Sequence, residues 1–164
     1  MMNETIVALS SGTMKAAIAI IRLSGSQSFE ILSAIFSNQK QYEHQKIYYG
    51  YIMDQQEVVD EVMVSCFLAP HSFTCENMVE INCHGNPYII QHIIALCIQH
   101  GARLAERGEF TKRAFLNGRI DLVKAESIND LIMASNKQAV QLALSGLKGL
   151  TSKYVVDLSE QLLS

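Results

Sequence analysis

Glu80 is the side chain whose setting points most directly to chemistry. It lies in Met78–His84, where Val79, Ile81 and Cys83 alternate with Glu80, Asn82 and His84. A period of two is the pattern of a strand with one apolar and one polar face. A carboxylate held in mid-strand can accept two N–H bonds from an amidine-like edge, such as that of a pterin or guanine ring. The rival reading is the wetted face of an antiparallel sheet. Arg22 is the second candidate. It sits in the apolar run Ala16–Leu23, on the face of Ile18 and Ile20. A guanidinium there requires an anion, either a protein carboxylate in a plain salt bridge or a ligand.

Two further features are less specific. His84-Gly85-Asn86 joins a strand end to a helix start, where unpaired backbone N–H groups suit an anion or a polar ring. His84 is there either as a proton-exchanging group or as a satisfied structural histidine. Residues 103–124 carry Arg103, Arg107, Lys112, Arg113, Arg119 and Lys124 against Glu106, Glu109 and Asp121. That local excess faces RNA or an anionic ligand tail, or is a solvated helix face with local pairs.

Other chemistry is not supported. Cys66, Cys75, Cys83 and Cys97 include no C-x-x-C pair, so no metal site is expected. Cys83 and His84 are adjacent and point to opposite faces of a strand. Free, mostly buried thiols suit a reducing compartment. Ser145-Gly146-Leu147-Lys148-Gly149 lacks the spacing and hydroxyl of a phosphate-binding loop, and neither G-x-S-x-G nor H-E-x-x-H occurs.

The elements that must position these residues are readable in outline. Thr5–Leu9 and Ala16–Leu23 read as strands, and Ser28–Phe36 as a helix capped by Ser26 or Ser28. Ile47–Met53 and Val58–Leu68 form a hairpin around Asp54-Gln55-Gln56. Val58–Leu68 is nearly all apolar, which predicts a central strand covered on both faces. After Met78–His84, Asn86 caps a helix that begins at Pro87 and ends near Gly101. Arg103–Glu106 is a candidate last strand and Gly108–Leu116 a short helix. Helices follow over Asp121–Ala134 and from Asn136 onward. In the second, Val140, Ala143, Leu147, Leu150 and Tyr154 form a packing stripe that continues through Leu158 and Leu162. A lone helix with such a stripe has nothing to bury against, so the chain is expected to be a piece of a longer protein.

Composition bounds the whole. At 164 residues with 49% hydrophobic and 18% charged residues, the chain is long and apolar enough for a real core. Net charge −3 excludes a strongly basic nucleic-acid module. No apolar run approaches the ~18 residues of a membrane span, and the start has no signal-peptide character. A cytoplasmic protein without membrane attachment is expected.

Several segments together resemble one family. They are Thr5-Ile6-Val7-Ala8, Ile20-Ile21-Arg22-Leu23-Ser24-Gly25, Ser72-Phe73-Thr74, Val79-Glu80-Ile81 with His84-Gly85, and the run from Gly108 through Gly118. Asp121-Leu122 and Ala125–Ile132 extend the match. The chain resembles the N-terminal part of the tRNA modification GTPase family MnmE, also called TrmE. The resemblance implies an α+β fold, a mixed sheet with packed helices similar to tetrahydrofolate-binding domains. It implies a folate-binding and dimerisation domain over 1–118 and the first helices of a helical domain over 119–164. It further implies a homodimer that binds 5-formyl- or 5,10-methylene-tetrahydrofolate. The full-length family members are GTPases using GTP, Mg2+ and K+, with the GTPase domain beyond residue 164. With the flavoprotein MnmG (GidA) they install a carboxymethylaminomethyl-type group on the wobble uridine of tRNA.

By the same resemblance, Arg22 and Glu80 match folate-contacting residues. The third contact falls on Arg119, where the family commonly has Lys. No catalytic residue is expected in this chain. Cys75 stands where the family has Gly after Ser-Phe-Thr, and Asn86 replaces the second Gly of His-Gly-Gly. The loop before the Arg22 strand, Ser11–Ala17, lacks the family's Gly- and Pro-rich pattern. Two alternatives remain open: a stand-alone folate-dependent one-carbon transferase, and a dimerisation module without folate binding.

Overall fold

Val79, Ile81 and Cys83 are buried along one side of their strand, while Glu80 and Asn82 are half-buried and His84 is exposed on the other. The structure is a computed structural model that describes residues 4–12, 15–38 and 41–149. Its elements run β1 (Ile6–Leu9), β2 (Ala16–Ser24), α1 (Ser28–Ile35), β3 (Lys46–Asp54), β4 (Glu57–Phe67), β5 (Met78–Gly85), α2 (Pro87–Gln99) and β6 (Arg103–Leu104). The helices α3 (Glu109–Leu116), α4 (Leu122–Met133) and α5 (Lys137–Leu147) follow. The strands form one mixed sheet in the order β3-β4-β5-β2-β1-β6. Neighbours are antiparallel except β1 and β6, which are parallel. This is the expected α+β fold.

The core lies on one face of the sheet. Ile31, Leu32 and Ile35 of α1 and Ile93 and Cys97 of α2 pack against Ile21, Leu23, Val64, Val79 and Ile81. The opposite face carries exposed Ile18, Ile47, Tyr49 and Met63. The expectation that Val58–Leu68 is covered on both faces is therefore corrected. Val62, Val64 and Cys66 are buried, but Glu61 and Met63, which alternate with them, are exposed. Among the described residues, helices cover only one side of β4, so its second apolar side meets solvent.

Local chemistry explains most boundaries. β3 and β4 are joined at Gln55-Gln56, with Gln55 at φ 54°. Asn86 caps α2, its side-chain oxygen accepting from the Tyr88 N–H at 2.9 Å, with Pro87 in the first position. Asp121 and Asn136 cap α4 and α5 in the same way. The cap expected at Ser26 or Ser28 is absent. Gln27 holds that position without a side-chain bond, and the Ser28 hydroxyl is shared between the carbonyls of Gly25 and Asn77.

The chain divides into two compact units between Phe110 and Thr111. In the second, α4 and α5 pack closely where Gly146 of α5 faces Ser127 of α4 with no room for a Cβ. Leu150, Tyr154, Leu158 and Leu162 of the expected stripe lie outside the described residues.

Candidate functional site

Arg22 and Glu80 are direct neighbours across the β2–β5 ladder. The register follows from the pleat: Leu23 and Ile21 must face the core with Val79 and Ile81, which puts Arg22 and Glu80 together on the other side. Arg22 Nε and Nη2 both donate to Glu80 Oε1, at 3.0 and 2.6 Å. Both side chains are about four-fifths shielded, with 23% and 21% exposure. Arg22 thus has the protein carboxylate that its apolar strand required. Glu80 Oε2 and Arg22 Nη1 make no hydrogen bond among the described residues.

Two aromatic rings frame the pair. The guanidinium carbon of Arg22 lies 5.4 Å from the ring centres of both Phe73 and Phe110, within cation–π range. Phe73 is held by the loop around it. Ser24 Oγ donates to Glu76 Oε2 at 2.6 Å. The Thr74 hydroxyl is then left to donate to Ser24 Oγ, also at 2.6 Å. Ser72 Oγ donates to the Glu76 carbonyl, and the Gly25 N–H to that of Asn77. Ser24 and Thr74 are completely buried, so Ser72–Asn77 is stitched to the end of β2. Cys75 in this loop has φ 60°, in the left-handed region. Asn86, by contrast, has φ −95°, so the second departure from the family's glycines carries no strain.

His84 and Asp60 form a second polar pair, where exposed His84 of β5 meets buried Asp60 of β4. Asp60 is buried; its two oxygens take the His84 backbone N–H at 2.8 Å and ring Nδ1 at 2.7 Å. Arg119 belongs to the second unit. It lies in the exposed turn between α3 and α4, with its backbone N–H on the Ala114 carbonyl at 2.9 Å. Within the first unit the fold therefore brings together Arg22 and Glu80, and Arg119 belongs to the second unit. Of the basic stretch, Arg103 is committed to Glu4 and to a two-pronged pair with Glu109. Hydrogen bonding to Glu109 pushes its pKa above the usual arginine range.

The three buried thiols, Cys66, Cys83 and Cys97, offer no nucleophile at neutral pH. Burial pushes Cys66 and Cys97 up to about 12 and Cys83 to about 11. Among the described residues no three His, Cys, Asp or Glu side chains cluster as metal ligands. Sequence reasoning missed the roles of Phe73, Phe110 and Asp60. The signal for Asp60 was an acid inside an apolar strand; the two phenylalanines carried none short of the folded register.

The fold and site define an α+β domain with a framed ion pair on the open side of its sheet, followed by helices. The family described as GTP-binding protein TrmE N-terminus matches residues 5–119. Proteins named tRNA modification GTPase MnmE are similar over nearly the whole chain. That of Mycoplasma mycoides subsp. mycoides SC is 43% identical over 99% of this chain and 36% of its own length. Those of Lactococcus lactis subsp. cremoris MG1363 and Geobacillus kaustophilus are each 46% identical over 98% of the chain and 36% of theirs. The chain belongs to the TrmE N-terminal family, and it spans about a third of the length of the curated relatives it matches.

Proposed function

We propose that this chain is the reduced-folate-binding, homodimer-forming region of a tRNA modification GTPase acting in the cytoplasm with a flavoprotein partner of the MnmG kind. The observation that carries the reading is the Arg22–Glu80 pair. One carboxylate oxygen and one guanidinium nitrogen remain without a hydrogen bond among the described residues, and two phenylalanine rings flank the guanidinium. An acceptor beside a donor complements a pterin edge, where an amidine N–H lies beside a carbonyl. The ion pair holds the Glu80 carboxylate in place, so its bond to the ligand is of the charge-assisted kind. Arg119 is proposed as a third contact, its charge matching the lysine common in the family. Hydrolysis of GTP with Mg2+ and K+, and modification of wobble uridine in tRNA, are assigned to the longer protein. The present sequence contains no phosphate-binding loop.

Calorimetric titration with 5-formyl-tetrahydrofolate tests the reading. Glu80→Ala should weaken binding by roughly 1.5–3 kcal/mol, the scale of a hydrogen bond to a charged group. Unchanged affinity in a variant with wild-type circular dichroism would remove the folate assignment and leave the dimerisation module as the surviving alternative.

A further inference from the structure

Asp60 makes contacts that the strand ladder alone does not require. The β4–β5 pairing runs to Met63 and Asn82, and beyond it the Asp60 carboxylate takes the His84 backbone N–H in place of a strand carbonyl. That accounts for one carboxylate oxygen. The other, on a side chain only 7% exposed, grips the imidazole of His84, itself 63% exposed. A carboxylate can only accept, so Nδ1 carries a proton, and in the neutral ring Nε2 is then an acceptor. Nε2 makes no hydrogen bond among the described residues. His84 lines a groove of about 260 Å³ together with Ile18, Met63 and Tyr49.

We propose that His84, oriented by Asp60, is a second anchor on this sheet face, accepting an amide N–H from the tail of an elongated ligand whose ring end is held at Glu80 and Arg22. This rests on the folate reading above. Glu80, Asn82 and His84 are successive residues on one face of β5, which sets Glu80 and His84 about 13 Å apart. Between them Asn82 commits its Nδ2 to the Met63 carbonyl and keeps its oxygen. A ligand along β5 meets the charged pair, then an amide oxygen, then apolar walls, then the imidazole. Glu61 also lines the groove, engaged by the Tyr49 hydroxyl. Its charge opposes a carboxylate there and favours a neutral N–H donor.

Two probes separate the ends of the ligand: 5-formyl-tetrahydrofolate, and 6-methyltetrahydropterin, which lacks the tail. His84→Ala should weaken the first about tenfold and leave the second unchanged, whereas Glu80→Ala should weaken both. His84→Gln, which returns an acceptor oxygen near the Nε2 position, should recover most of the loss. Equal effects of His84→Ala on both probes, or none on either, would overturn the tail contact while the Glu80 result keeps the folate reading. If Glu80→Ala changes neither probe, the folate reading fails and this inference falls with it.

Discussion

At the scale of single residues, Arg22 and Glu80 show how one geometry satisfies two demands. The guanidinium needs an anion in an apolar strand, and the carboxylate needs a donor to hold it; each supplies the other, and polar atoms remain for a ligand. Cys75 is the contrary case. At φ 60° a residue with a Cβ costs roughly 1–2 kcal/mol, and glycine relieves this while loosening the unfolded chain by up to about 1 kcal/mol. Cys75→Gly should therefore stabilise the protein by about 0.5–1 kcal/mol in urea unfolding. No gain in the midpoint would show that the loop relaxes the strain elsewhere. The buried thiols set an alkaline limit. Burial raises Cys83 to about 11 and Cys66 and Cys97 to about 12, above the ordinary thiol value of 9. The folded state then holds protons that the unfolded state releases, so stability should fall as pH rises from 9 towards 11. Urea midpoints measured across that interval check the sign, and replacing Cys66 with Ser should flatten the slope.

At the scale of elements, β5 positions everything. Its inner residues lock the register against β2 and β4, and its outer residues line up the two polar pairs. Gly85 ends the strand where a Cβ would overlap the Ala16 backbone. Gly85→Ala should cost about 1–3 kcal/mol by overpacking, read as a lowered thermal midpoint. It should also disturb His84 next to it, so tail-dependent ligand affinity should fall with stability. An unchanged midpoint would mean that β2 shifts without penalty. The loop Ser72–Asn77 acts as a bracket: the Thr74 hydroxyl and Glu76 tie to buried Ser24, and this fixes the Phe73 ring over Arg22.

At the scale of the whole molecule, α1 and α2 cover one face of the sheet, while the other leaves Ile18, Ile47, Tyr49 and Met63 exposed and Arg22 and Glu80 four-fifths shielded. The proposed homodimer is testable directly. Sedimentation equilibrium should give twice the 18.3 kDa chain mass at micromolar concentration, and a mass of one chain across that range would remove dimerisation by this region alone. No helix among the described residues is long and apolar enough to cross a membrane.

What the amino-acid order determined by itself was local. The alternation Val79/Ile81/Cys83 against Glu80/Asn82/His84 prescribed a two-faced strand, because a pleat reverses side at every residue. Asn86-Pro87 prescribed a helix start, because an extended residue with a side-chain acceptor satisfies an orphan N–H. Family membership was legible too, since the run from Gly108 to Gly118 keeps its residue types in order. Tertiary structure alone decided the rest. Arg22 and Glu80 are 58 residues apart in sequence, and only strand pairing makes them partners. The apolar run in β4 could not reveal that just one of its faces has helices to meet. Nor could it reveal that Asp60 turns inward to hold a histidine on the neighbouring strand, because cross-strand contacts depend on register, and register is set by the packing of the whole core.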